Sequence, residues 1–421
     1  MPVRNAICIT IDGLRASALG AYGNTWHPTP ALDALASQSQ VFDWMLCDRP
    51  TLAHFFASAW QGSGGPMAER LSAIGVKAAL TTDDAWVAER AEASGFAEVR
   101  RIAFASGQAA ADIGDTELAQ LFAVAVDQLE SWNGCAESSD DSNGSRLLWL
   151  HARGYHGAWD APLELRQSLL DEDDPPAPTF LTPPGLLTTN DHDTLLVHRA
   201  AYAAQTMVLD ECIDALLAAL TAYGLDDSTL VVLLGCRGYA LGEHGAVGGD
   251  AAALYSELMH VPCVVRTPGN MGPPPRSALL VKPVDLHATL LEWFGAIEAA
   301  PSERAMPLLA NTCTLSSKRR EFVVATGDGG DRVLRTPAWM LYQRRPAEAP
   351  LADEHGATGL ELYVKPDDRW EANEIADRLP DVVERLLAVL ERTAATAIDE
   401  SPAAVERLDE KLDDDLIAHA R

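Results

Sequence analysis

Ala6-Ile7-Cys8-Ile9-Thr10-Ile11, followed at once by Asp12-Gly13-Leu14-Arg15, is a β-branched-rich apolar run that stops on a turn. A run with no polar alternation reads as a strand buried on both faces, as in the middle of a parallel sheet. Outward from it the chain alternates. Pro30 to Ser39 repeats apolar residues at helical spacing, with Thr29 as the expected N-cap. Ala68 to Ile74 reads as helix, Val76 to Leu80 as strand and Ala85 to Ala93 as the next helix. The pattern continues with Thr116 to Trp132 (helix), Arg146 to Leu150 (strand) and Thr194 to Tyr223 (a long helix). Leu230 to Leu234 (strand), Val261 to Arg266 (strand) and Asp285 to Phe294 (helix) complete it. Such alternation predicts a wound α/β fold, a mostly parallel sheet flanked by helices.

Gly134 to Ser145 and the Pro-rich Asp171 to Gly185 read as surface loops inside that pattern. Beyond about Glu298 the texture changes to short strands, Glu321 to Ala325 and Ala338 to Gln343, around a Gly327-to-Asp331 turn. The expected organisation is an α/β domain over 1–298 and a small C-terminal antiparallel α+β subdomain over 299–421. The latter carries a helical acidic tail with Asp413-Asp414-Asp415.

The 421 residues hold 32 Lys+Arg against 61 Asp+Glu, a formal charge of −29 that repels polyphosphates and anionic membrane surfaces. No nucleic-acid or membrane partner is expected, and no apolar run nears the roughly 18 to 20 residues of a span. The N-terminus runs directly into the first strand, which leaves no room for a secretion signal. The seven cysteines follow no regular spacing and fall mostly in apolar runs, as at Cys8, Cys212 and Cys263. They read as reduced core residues, so the expected setting is cytoplasmic.

In a wound α/β fold, ligands collect beyond the C-terminal ends of the strands. Those positions hold Asp12 to Arg15, Thr81 to Asp84, His151 to His156, and Cys236-Arg237-Gly238 with Gly242-Glu243-His244-Gly245 just beyond. One acid (Asp12), three histidines and several arginines are expected to converge on one rim.

These residues, taken in order, resemble the sulfatase family of the alkaline phosphatase superfamily. The likeness starts in Ile9 to Arg15, Leu19 to Gly23 and Thr29 to Ala36. It runs on through Trp149 to Gly157, Leu230 to Gly245 and Tyr255 to Pro262, and closes on Glu361-Leu362-Tyr363 with Asn373 to Ala376. The resemblance implies an alkaline phosphatase-like fold and a metal-dependent hydrolase of sulfate or phosphate esters, with a divalent cation (calcium, magnesium, manganese or zinc). It also implies a small anionic ester or sulfated ligand as partner; the oligomeric state is not encoded.

Compared residue by residue, the family's catalytic inventory is depleted. The first metal carboxylate matches Asp12, but the second acid is Gly13. The Cys/Ser-x-Pro-x-Arg motif is replaced by Asp48 to Phe56, where Thr51 is the nearest nucleophile, and the Lys-x-x-His is replaced by Thr81 to Trp86. The metal-binding Asp-His-Gly is Cys236-Arg237-Gly238, and a guanidinium stays protonated where a cation belongs. Asp12 is therefore either a surviving metal ligand or the partner of Arg237. His156 is either an ester contact or a loop residue, and Thr51 either a nucleophile or a helix N-cap. His244 is either an anion contact or a turn residue, while Cys236 reads as an inert buried thiol and Trp60, Trp159, Trp293 and Trp370 as core or interface packing. Arg15, Arg153 and Arg237, with His244, are the expected anion-binding set. Three functions follow: a competent hydrolase, a catalytically impaired relative that binds an anionic ligand, or a scaffold.

Overall fold

The computed structural model describes residues 3–61, 65–104, 107–134, 144–250, 253–269, 276–296, 305–309, 320–345 and 359–398. The 298/299 boundary, Asp413 to Asp415 and most of the Gly134 loop lie outside them.

The strand β1 (Asn5–Ile11) is buried along its whole length and sits mid-sheet. The sheet's other strands are β2 (Gln40–Leu46), β3 (Lys77–Thr82), β4 (Glu98–Arg101) and β5 (Arg146–Ala152). Further strands are β6 (Leu187–Thr188), β7 (Thr229–Gly235), β8 (Ala240–Leu241), β9 (Ala246–Gly248), β10 (His260–Val261), β11 (Cys263–Arg266) and β12 (Ser277–Val281). The main sheet runs β10-β2-β11-β7-β1-β5-β3-β4, with β12 beside β2, while β6, β9 and β8 form a small separate ribbon. From β7 to β4 the pairs are parallel, and β11 is antiparallel to both β7 and β2.

Successive β1 residues feed opposite layers. Ile7, Ile9 and Ile11 join one core with Tyr202 and Val208 of the helix His192–Ala222, whereas Ala6 and Cys8 join the other with Phe56, Trp60 and Trp149. Each isoleucine, fully buried, stabilises the fold by roughly 1.5 to 3 kcal/mol.

Several details differ from the sequence reading, each for a local reason. Val261 to Arg266 is two short strands, because Pro262 has no N–H for the ladder. The strand β2, which pairs antiparallel with β11 and parallel with β12, and the short edge strand β4 were not evident from the pattern. Strands β3 and β5 run further than expected, so Thr81, Thr82 and His151 lie within the sheet. Thr29 occupies the N-cap position of the helix Pro30–Ser37 but spends its hydroxyl on Gly20 N–H; Asp210 accepts from Ala31 and Leu32 N–H instead. The Pro-rich loop is tied down by buried Arg166, which donates to the carbonyls of Trp159, Ala161, Pro178 and Phe180.

The C-terminal part is a four-stranded antiparallel sheet, β13 (Val323–Thr326), β14 (Arg332–Arg335), β15 (Trp339–Gln343) and β16 (Leu360–Val364), in sequence order. One face packs on the helix Pro380–Ile398 through Leu334, Leu341, Leu362, Leu386 and Leu390. The other meets Leu254, Tyr255 and Met259 of the main body. The α/β fold with its antiparallel C-terminal sheet is thus as expected.

Candidate functional site

Three strands end at one level. Ile11 of β1 is the register partner of both Ala152 and Gly235, so Asp12, Arg153 and Cys236 leave the sheet side by side. The exit is clamped by backbone bonds: Asp12 N–H donates to Ala152 O at 3.0 Å, Tyr155 N–H to Asp12 O at 2.9 Å and Cys236 N–H to Ile11 O at 3.0 Å.

Asp12, only 2% exposed, receives both prongs of Arg237: Nε donates to Oδ1 at 2.9 Å and Nη2 to Oδ2 at 3.1 Å. Burial alone pushes the Asp12 pKa up, but the charges of His156 and Arg237 and the two hydrogen bonds more than reverse this, and the carboxylate is held below its usual range. His156 sits on the same pair. Burial lowers its pKa further than Asp12 raises it, so the ring is neutral at pH 7. Its Nδ1, 3.3 Å from Arg237 Nη2, faces a group that only donates, which assigns the proton to Nε2, 3.9 Å from Asp12 Oδ1 and buried without a hydrogen-bond partner.

Two glycines shape this corner. Gly13 has φ +80°, and a Cβ there meets Tyr155 Cβ at 2.8 Å and His156 Cδ2 at 3.2 Å. The family's second acid therefore has no room at this position as the corner is built. Gly249 packs directly on the His156 ring, with a Cβ at 1.8 Å from Cε1. Its neighbour Asp250 adds negative charge felt by both His156 and Arg237. Asp250 was missed in the sequence; the Gly248-Gly249-Asp250 turn is the only signal that marks it.

The remaining expected residues have partners of their own. Arg153 is exposed; its Nη2 donates to His156 O at 3.1 Å, and its N–H to Asp83 Oδ1 at 2.8 Å. Burial pushes that Asp83 carboxyl up to about 6. Arg15 is buried against Glu243 at 2.5 Å, with Nε on Ser17 Oγ and Nη1 on Tyr239 O. His244 engages Glu257 Oε1 through Nδ1 at 2.7 Å and Glu371 O through Nε2 at 3.3 Å, and it stacks on Tyr255. Burial lowers its pKa, yet the Glu257 contact reverses this and the pKa ends above the usual value.

Thr51 is the N-cap of the helix Leu52–Trp60, its hydroxyl accepting from His54 N–H at 3.3 Å. Beside it, Asp48 bridges His54 and Lys282; burial opposes ionisation, but these two partners hold the pKa down to about 2. Cys236 and Cys47 are buried together, Cys47 Sγ 2.9 Å from Cys236 O, and burial raises both thiols well above their usual range. Neither is a ready nucleophile or soft-metal ligand.

This chemistry does not fit a divalent cation. Hard cations take several oxygen ligands, whereas Asp12 spends both oxygens on Arg237. Among the described residues no group of three or more His, Cys, Asp or Glu side chains is placed to hold a metal ion. The rim offers instead a neutral imidazole, two guanidinium groups and one neutralised carboxylate.

Comparison with known proteins bears on the fold that carries these residues. Residues 96–296 match the family model described as Sulfatase. An N-acetylglucosamine-6-O-sulfatase of Bacteroides thetaiotaomicron is 32% identical over 94 residues, a match that spans 22% of this chain and only 16% of that protein. A protein solved in complex with its substrate D-glucosamine-2-N,6-O-disulfate superposes with TM-score 0.70 at 16% identity, over 95% of this chain and 99% of the other. The phosphonate monoester hydrolase of Agrobacterium radiobacter gives TM-score 0.70 at 15% identity, over 93% and 96%. At such identities the structural likeness shows the fold, an alkaline phosphatase-like one.

Proposed function

We propose that this sulfatase-like chain is a catalytically impaired member of that family in which a fixed ion pair has replaced the metal centre, and which binds a small anionic ester or sulfated ligand without hydrolysing it. The observation that carries this reading is the two-pronged Asp12–Arg237 contact at 2.9 and 3.1 Å. A guanidinium delivers the positive charge that Asp12 needs, but it cannot polarise an ester oxygen as a Lewis acid or bind a hydroxide. Thr51, the one hydroxyl in the nucleophile segment that the resemblance singles out, accepts a backbone N–H and has no general base among its described partners.

Binding survives this loss in principle. Arg237 Nη1 has no protein partner among the described residues, and exposed Arg153 lies beside it through the shared contact to His156. Charge-assisted hydrogen bonds from two guanidinium groups suit a sulfate or phosphate oxygen. The buried, unpaired Cys8, Cys47, Cys212, Cys236 and Cys263 support a reducing, cytoplasmic setting. Among the described residues no helix is long and apolar enough to cross a membrane.

The test pairs turnover with binding on the full chain. Aryl sulfate, aryl phosphate and phenyl phosphonate esters are assayed with calcium, magnesium, manganese and zinc, and a sugar sulfate is titrated by thermal shift. The expected result is no turnover above buffer together with ligand stabilisation that weakens in Arg153→Met. Metal-dependent turnover that disappears in Asp12→Asn overturns the reading.

A further inference from the structure

A cleft of about 140 Å³ opens between the Asn24–His27 turn, the helix His192–Ala222 and the C-terminal Trp370. Asp12, His156 and Arg237 take no part in its walls. Its composition is unusual for this surface. Of the five large hydrophobic side chains exposed among the described residues, two share this cleft: Trp26 at 46% and Trp370 at 43%. Of the core or interface packing expected for Trp370, its exposure excludes the core. Exposed aromatic pairs in one concavity mark binding surfaces rather than cores.

The two indoles differ in availability. Trp370 carries the guanidinium groups of Arg15 and Arg369 at 5.6 and 4.9 Å from its ring centroid, which fix it as a wall. No guanidinium stacks on Trp26 among the described residues. The turn that presents Trp26 is pre-organised, since Asn24 Nδ2 donates to His27 O at 2.7 Å and Asn24 Oδ1 accepts from Trp26 N–H at 3.3 Å. Trp26 is thus a held, half-exposed apolar platform, whose use in binding costs little ordering.

The cleft is also polar and positive. The carboxylate in its wall, Glu243, is spent on Arg15 at 2.5 Å. Arg199 anchors Nε on Leu241 O at 2.9 Å and has no carboxylate partner among the described residues. In a chain of net charge −29, a guanidinium left unneutralised beside two exposed tryptophans is a local inversion of sign. His27 lines the same space, buried, with neither ring nitrogen in a hydrogen bond of good geometry. Burial outweighs the neighbouring Ala18 backbone and pushes its pKa down to about 4, so at pH 7 it is a neutral ring with one donor and one acceptor.

We infer that this cleft is a second binding site, separate from the Asp12 rim, which seats one anionic monosaccharide unit on Trp26 with its carboxylate or sulfate on Arg199. A pyranose has a C–H face for a single aromatic platform and hydroxyls around its edge for neutral polar groups. The volume admits one ring rather than a drug-sized ligand. The site does not depend on the proposed function of the rim.

The test is saturation-transfer NMR on the full chain with glucuronate, glucosamine 6-sulfate, N-acetylglucosamine, AMP and inorganic sulfate as probes. The expected result is saturable binding of the two anionic sugars, weakened about tenfold in Trp26→Ala and again about tenfold in Arg199→Met, with Trp26→Phe retaining most of it. N-acetylglucosamine binds more weakly than either and is indifferent to Arg199→Met. Failure of both anionic sugars to bind overturns the inference. So does binding that ignores both Trp26→Ala and Arg199→Met but falls in Arg153→Met, since it then belongs to the rim. AMP or inorganic sulfate binding as tightly as the sugars also overturns it.

Discussion

Replacing Arg237 by methionine keeps most of the side-chain volume and removes the charge, so it isolates what the guanidinium does for Asp12. The side chains of Asp12 and Arg237 are 3% and 17% exposed. Removing one partner of a buried pair costs about 3 to 5 kcal/mol, and the partial access of Arg237 puts this case near the lower end, about 3 kcal/mol. That is roughly a hundredfold in the folded-to-unfolded ratio. The pH dependence separates lost charge from lost packing. In the native protein the Asp12 pKa is depressed, so the pair's contribution is present above the unfolded carboxylate range and is lost only as pH falls through the lower, folded value. In Arg237→Met the guanidinium charge and its two hydrogen bonds are lost while burial and the neighbouring His156 remain, so the Asp12 pKa rises above its native value, the folded state takes up a proton earlier as pH drops, and the penalty relaxes. Equilibrium urea unfolding followed by circular dichroism should therefore show the largest loss near pH 8 and a clearly smaller one near pH 4. A loss under about 1 kcal/mol at pH 8, or one equal at both values, refutes the claim that Arg237 neutralises a buried carboxylate.

Other expectations follow from single contacts. Thr51→Ala should cost about 1 kcal/mol through the lost N-cap while leaving anionic-ligand binding intact, as thermal unfolding and ligand titration would reveal. Burial lowers His151 to about 4 and His260 to about 3, so both stay neutral in the folded state while the unfolded chain protonates them below about 6.5. Stability is then complete above pH 7 and falls between about 6.5 and 4, with about 3 kcal/mol from fully buried His151 alone; a Tm constant from pH 7 to 5 contradicts this. Asp83 has the opposite sign, since burial raises it to about 6 and its ionised form destabilises the fold above that pH. Asp83→Asn should raise stability near pH 8 by about 2 kcal/mol, a gain that vanishes below about pH 4 where both states are protonated.

The parts of this molecule legible in the sequence were those carried by local pattern. The buried run Ala6 to Ile11 and the long helix before Leu230 announced a wound sheet, because a strand covered on both faces has no polar alternation. What the pattern could not carry was pairing at a distance. The strand β2 pairs antiparallel with β11 and parallel with β12, and nothing local in Gln40 to Leu46 says so. Asp210 caps a helix some 180 residues earlier in the chain, a function Thr29 seemed placed to perform. At the site, the substitution of Asp-His-Gly by Cys236-Arg237-Gly238 was plain, as was the prospect of an Asp12–Arg237 pair on adjacent strand ends. The reason Gly13 excludes a second carboxylate was hidden, since it depends on Tyr155 and His156 crowding the position from another loop. The cleft at Trp26 was equally invisible, for it joins residues from four widely separated segments.

The Asp12–Arg237 pair stands at the strand ends where the resemblance to sulfatases implies a metal ion. Elemental analysis of the full chain by inductively coupled plasma mass spectrometry, after incubation with calcium, magnesium, manganese and zinc and removal of the excess, tests it most directly. The expected result is far less than one equivalent of any divalent metal per chain, unchanged in Asp12→Asn. One equivalent that is retained by the native protein and lost in Asp12→Asn contradicts it.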